Sequence, residues 1–285
     1  AVRTKERAYD RHLKSTQFRK HEIAFDLWTA AFFWPLRKDT YTPPTHGIFN
    51  QLLADPHLVD YILAAKNAET AGKPLRSTVR YARQLHKTHH FFHWELEFPE
   101  VFDRPDSGFD CILGNPPWER VKLQEQEFFA TRDEDIAKAA NAAARKRMIA
   151  QLGQTLDPMR RQQEEALKRA YDDALRDAEA SSTFIRTSGR FPLTGRGDVN
   201  TYSVFAELGT TGIRRSGQSG MVLPTGIATD DTNKFFFGDL VENGRLTSLF
   251  DFENRDGIFP AVDSRMKFCL LVVAGKSAPQ RPIDV

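Results

Sequence analysis

The apolar run Phe109-Asp-Cys-Ile-Leu113 breaks off at Gly114-Asn115-Pro116-Pro117-Trp118, and no other junction constrains the fold as much. A short apolar segment bounded by Gly and Pro has the pattern of a buried strand in a parallel sheet. Two consecutive prolines fix φ and remove two backbone donors, so neither strand nor helix runs on through them. The chain must leave the sheet here as a stiff loop.

The segments around this junction predict an α/β fold. Phe98-Pro-Glu-Val-Phe102 leads into the strand through a polar turn at 103–108. Further strands are expected at 220–224, 246–252 and 267–273. Asn200 or Thr201 is placed to cap a helix through Leu208 that Gly209 ends. Asp230 or Asp231 is placed to cap another through Val241. Strand, loop, helix, strand, helix and two late strands is the order of a Rossmann-like sheet with an antiparallel edge. Ligands of such sheets sit beyond the carboxyl ends of the strands, which is where the Asn-Pro-Pro-Trp loop falls.

Other regions read as helical. Residues 1–90 form a mostly helical N-terminal segment, with an apolar run from His21 to Trp34 closed by Pro35 and a second helix from Pro56 to Ala71. The remainder, 91–285, carries the sheet. Within it, 124–182 is a long helical insert rich in Ala, Arg, Glu, Gln and Lys, interrupted by Pro158. Two long helices with a solvated surface are expected there.

At 285 residues, with 40% apolar and 27% charged residues, the chain is an ordinary globular protein. A net charge of only +2 means that any nucleic-acid contact must come from local clusters of Arg and Lys. Cys111 and Cys269 lie in apolar runs and read as small core residues, with neither disulfide nor zinc spacing. No signal peptide and no membrane-spanning apolar stretch is evident, so a cytoplasmic protein is expected. The start at Ala1, inside a charged segment, suggests a fragment.

The loop also suggests a chemistry. The Asn115 side-chain oxygen and the Pro116 carbonyl can accept both hydrogens of one exocyclic amino group. Trp118 offers a flat face for a purine swung out of a helix. An adenine amine is a poor nucleophile, because its lone pair is delocalised into the ring. Holding both N–H bonds draws the nitrogen toward tetrahedral geometry and steadies the charge developing on it. In an arbitrary chain the same tetrapeptide is a turn beside a core tryptophan. Directly after an apolar strand ending in Gly114, the base-binding reading prevails.

Several stretches in order resemble one family. They are Phe92-His-Trp-Glu-Leu-Glu-Phe-Pro-Glu-Val-Phe102, Gly108 to Arg120, Gln124-Glu-Gln-Glu-Phe-Phe129, Ser188 to Gly195, Asn200-Thr-Tyr202, Met221 to Asp230 and Phe250 to Pro260. Together they resemble the large adenine-specific (N6) DNA methyltransferases of bacterial restriction-modification and phage-defence systems. The resemblance implies a methyltransferase core acting on double-stranded DNA with S-adenosylmethionine. It makes Asn115, Pro116, Pro117 and Trp118 the target-base motif and puts Pro224 on the strand beside that pocket. It also implies restriction or defence-system subunits as partners. The family's Gly-rich cofactor loop has no match here. That half of the core is expected before Ala1, and the isolated chain is expected to be inactive.

Weaker signals remain. Arg186, Arg190 and Arg196 are candidates for a path along the DNA backbone. Phe259 either approaches the flipped base opposite Trp118 or packs under the sheet edge. Gly195-Arg-Gly197 does not link a strand to a helix and reads as an ordinary loop. The basic clusters 145–147 and 160–161 read as solvated helix faces. His86, His89, His90 and His93 read as a half-buried surface, because no carboxylate or Cys has ligand spacing near them, and no metal is expected. Two alternatives to the DNA enzyme stay open. One is a non-catalytic DNA-binding or assembly module; the other is a methyltransferase for RNA or a protein glutamine.

Overall fold

The computed structural model describes residues 2–13, 15–35, 41–54, 73–260 and 263–276. The helix expected at 56–71 lies outside them. The chain divides into two compact units, 1–108 and 109–285. The division falls later than the boundary at residue 90 drawn from pattern.

The first unit is helical: α1 (Val2–Leu13), α2 (Thr16–Phe33), α3 (His46–Ala54), α4 (Lys73–His89) and two single turns, α5 (Trp94–Glu97) and α6 (Pro99–Phe102). Ser15 caps α2 by accepting from the Phe18 amide, and the helix ends ahead of Pro35 as the proline rule requires. Ile23, Leu27 and Ala30 of α2 recur at helical spacing and bury against Val79, Ala82 and Leu85 of α4, with Trp34 and Leu52 closing this core.

The second unit holds β1 (Phe109–Gly114), a helical group of α7 (Glu125–Ala130), α8 (Glu134–Ala137), α9 (Ala142–Gln151) and α10 (Pro158–Thr187), then α11 (Thr201–Gly212), β2 (Ile213–Pro224), α12 (Gly226–Thr229), α13 (Lys234–Glu242), β3 (Leu246–Glu253) and β4 (Lys267–Ala274). The four strands form one mixed sheet in the order β1-β2-β4-β3. β1 and β2 are parallel, β4 is antiparallel to β2, and β3 is antiparallel to β4. This mixed α/β arrangement fits a methyltransferase-like fold. No helix among the described residues is long and apolar enough to cross a membrane.

Strand alternation gives the sheet two different faces. Met221, Leu223, Cys269, Leu271 and Val273 bury one face, packed with Tyr202, Ala206, Phe236 and Leu240 of the helices. The other carries the exposed side chains of Phe250, Phe252 and Leu270.

The structure corrects several expectations. β1 is parallel to its neighbour as foreseen, but among the described strands it lies at the edge of the sheet: Leu113 is 81% exposed and Cys111 is exposed. Apolar composition reports a tendency to bury, while the degree of burial depends on which strands and helices lie alongside. Gly209 does not end its helix, since α11 runs on to Gly212. A Cβ on Gly209 would lie 2.2 Å from Met221 Cε and 2.9 Å from Ser219 Oγ, so this glycine permits close packing on β2. Neither Asp230 nor Asp231 caps α13, whose N-cap is Asn233. Asp231 lies in a 3-10 turn, Asp231–Asn233, ahead of it. The chain does turn at Gly244, which sits at φ +62°.

The insert is not two long helices. Three short ones fold against the 30-residue α10, whose first residue is Pro158 and whose N-cap, Asp157, accepts from the Met159 and Arg160 amides. Phe129, Ile136, Ile149 and Tyr171 give the group its own small core. Arg145 is buried there, with its Nε on the Ile136 carbonyl, and so is not part of a solvated face.

Candidate functional site

Because β1 and β2 are parallel and β4 runs back against β2, one end of the sheet collects several chain segments. Gly114 pairs with Met221, Pro224 with Phe268, and Phe252 with Phe268. Asn115, Thr225 and the loop after β3 therefore leave from the same end, outside the carboxyl ends of the parallel strands.

Asn115 is exposed and Pro116 is buried, while Pro117 is exposed and Trp118 half-buried. Neither the Asn115 side chain nor the Pro116 carbonyl has a hydrogen-bond partner among the described residues. The exposed Asn115 side chain is open to a ligand, whereas the Pro116 carbonyl belongs to a buried residue.

The loop is anchored just beyond these acceptors. The Thr201 hydroxyl donates to the Pro117 carbonyl at 2.6 Å and accepts from the Glu119 amide at 3.0 Å. The Thr201 amide donates to the Glu119 carbonyl at 2.8 Å, and the Val121 amide to the Val199 carbonyl at 2.9 Å. Residues 117–121 are thus zipped to the start of α11, with Arg120 bridged to Asn200. The Thr201 side chain, beyond its place at the start of the helix, holds the loop.

Trp118 stacks on Phe268 at 6.5 Å and meets Phe259 edge-on at 5.6 Å. Phe259 in turn stands edge-on to Phe268 at 5.0 Å. Phe259 packs on the aromatic group at the start of β4 and meets Trp118 at an interplanar angle of 66°. The Asn254 side chain clamps it by donating to the Phe259 carbonyl at 3.0 Å and accepting from its amide at 2.9 Å. The indole N–H of Trp118 is buried with no acceptor among the described residues. Such a donor costs about 1–3 kcal/mol unless a ligand or water satisfies it.

Trp118 also borders an open cleft of about 810 Å³. The chain from Glu119 to Gln124 lines it, together with Glu127 and Phe128 of α7 and Ala178 and Ser181 of α10. Asn115, Pro116 and Pro117 are not among its lining residues. Arg120 and Lys122 bring two exposed cations to the cleft.

The three arginines of the suggested DNA path are partly occupied by the chain itself. Arg186 donates to the Gly197 carbonyl and to Ser182. Arg196 donates to the Pro192 carbonyl and lies over the Phe235 ring at 4.6 Å. Arg190 is half-buried. The loop carrying them is tight: a Cβ on Gly195 would lie 2.6 Å from the carbonyl oxygens of both Ile185 and Phe191. β2, which runs parallel to β1 and leads into a helix, does so through Pro224-Thr225-Gly226.

Residues 23–152 match the model of a family described as Eco57I restriction-modification methylase. The matched span takes in β1 and the Asn-Pro-Pro-Trp loop, and it supports a methyltransferase enzyme of the restriction-modification type. Neither the curated proteins nor the solved structures yielded a match.

Proposed function

We propose that this chain carries the target-base portion of an adenine-specific DNA methyltransferase of a restriction-modification or phage-defence system, with double-stranded DNA as substrate. The observation behind this is the pair of unpartnered acceptors, Asn115 and the Pro116 carbonyl, on a braced loop beside a half-buried tryptophan at the carboxyl end of parallel strands.

In this reading an adenine swung out of the duplex lies on the accessible part of Trp118, and its amino hydrogens go to Asn115 and Pro116. Pro117 keeps the loop stiff, so the acceptors are positioned before the amine arrives. Arg120 and Lys122 at the cleft, with the outward parts of Arg186, Arg190 and Arg196, meet DNA phosphates. Phe259 supports the far side of Trp118. S-adenosylmethionine supplies the methyl group, and the elements that bind it are not among the residues described.

Methyl transfer to duplex DNA by the protein that carries this chain tests the proposal. Asn115→Ala is expected to lower kcat by about 10²–10³, the usual effect of losing one polar group aligned with a transition state. Trp118→Ala removes a stacking platform of about 1–3 kcal/mol and is expected to act more on KM. Wild-type turnover in Asn115→Ala would refute the role assigned to that side chain.

A further inference from the structure

Asp26, His86 and His93 form the one group of metal-compatible side chains among the described residues, and all three belong to the first unit. His86 Nδ1 lies 2.7 Å from Asp26 Oδ1, and His93 Nε2 lies 2.9 Å from the same oxygen. The Asp26 and His93 side chains are 3% and 6% exposed, and His86 is 30% exposed. The ligating atoms all fall within 4.8 Å of one another. They arrive from three places: α2, the last turns of α4, and the residue before α5.

We propose that this cluster binds one divalent transition-metal cation of the zinc class, and that the ion clamps the helical unit together. Two imidazole nitrogens and one carboxylate oxygen are a donor set suited to such ions. Ligand atoms around one ion at about 2.0–2.2 Å lie roughly 3–3.5 Å apart. Seating an ion therefore needs the two Asp26 contacts to open by less than an ångström and the two ring nitrogens, within 4.8 Å of each other, to come to the same spacing.

The surroundings favour a cation. Glu22 stands one helical turn before Asp26, on the same side of α2. Water would complete the coordination of the ion. The aromatic packing of His93 on Phe25 at 5.3 Å orients that ring, as ligand rings are usually oriented by their neighbours. A metal-free network needs a proton on each ring nitrogen facing Asp26; a metal site needs both removed.

Titration of the tag-free, chelator-treated protein with Co²⁺ and with Zn²⁺ decides between the two. The expected result is one equivalent bound, a cobalt visible spectrum with nitrogen ligation, and a Tm rise of about 3 °C or more at saturating zinc. His86→Gln and His93→Gln are expected to weaken binding at least tenfold, while His89→Gln binds as wild type does. Absence of saturable, stoichiometric binding by the wild type would overturn the proposal, as would wild-type affinity in His86→Gln. If His93→Gln does not fold, the wild-type titration and His86→Gln still give the answer.

Discussion

Glu207 is a carboxyl side chain buried inside the second unit. It is 1% exposed. Its carboxylate accepts from the Leu193 amide at 3.1 Å, the Thr194 amide at 2.8 Å and the Thr194 hydroxyl at 2.6 Å. A buried carboxylate persists when hydrogen bonds replace its hydration, and here three donors do so. Glu207→Gln turns one acceptor into a donor and leaves at least one of these groups facing another donor. We expect a loss of about 1–3 kcal/mol in urea unfolding, with the 193–197 loop loosened. An unchanged midpoint would show that the network carries no stability. The two cysteines make a second prediction at this scale. Burial pushes the Cys269 thiol up to about 12, whereas Cys111 is exposed. At pH 8 a thiol reagent should modify one cysteine per native chain and both after denaturation; prompt modification of both in the native protein would contradict the packing of β4.

At the scale of elements, the Asn-Pro-Pro-Trp loop depends on Thr201. Its hydroxyl both donates and accepts across the gap between the loop and α11, and no hydrocarbon side chain does either. Thr201→Val is expected to cost about 1 kcal/mol of stability and to slow methyl transfer roughly tenfold through loss of loop position. Thr201→Ser, which keeps the hydroxyl, should restore the rate. Equal rates in all three proteins would dissociate the clamp from catalysis. How far these elements were legible depended on the range of the interactions that set them. The strand before Gly114 and the loop after it were readable because prolines and apolar runs act within a few residues. The role of Gly209 was not, because its reason is Met221 on another element. Nor was the carboxylate partner of the histidines, since Asp26 lies 60 residues from His86 along the chain. Thr201 fell between these cases: Asn200-Thr-Tyr202 carried part of the family resemblance, but only the fold shows what the hydroxyl touches.

For the whole molecule, the order β1-β2-β4-β3 gives a sheet with one helix-covered face and one carrying exposed Phe250, Phe252 and Leu270. Its carboxyl end presents a braced loop whose acceptors suit an amine, and the family match of residues 23–152 points to the same class of enzyme. A parallel β1 and some antiparallel pairing among the late strands were expected from pattern; the pairing of β1 with β2 and the interior place of β4 were not. Nor was the exposure of β1, because it depends on what lies beside the strand. The central claim is that Asn115 and the Pro116 carbonyl hold an adenine amine. Its most direct test is nucleoside mass spectrometry of unmethylated DNA treated with S-adenosylmethionine and the protein that carries this chain, wild type or Asn115→Ala. The account predicts N6-methyladenine as the product of the wild type and its loss in Asn115→Ala. N4-methylcytosine as the product, or undiminished N6-methyladenine in Asn115→Ala, would contradict it.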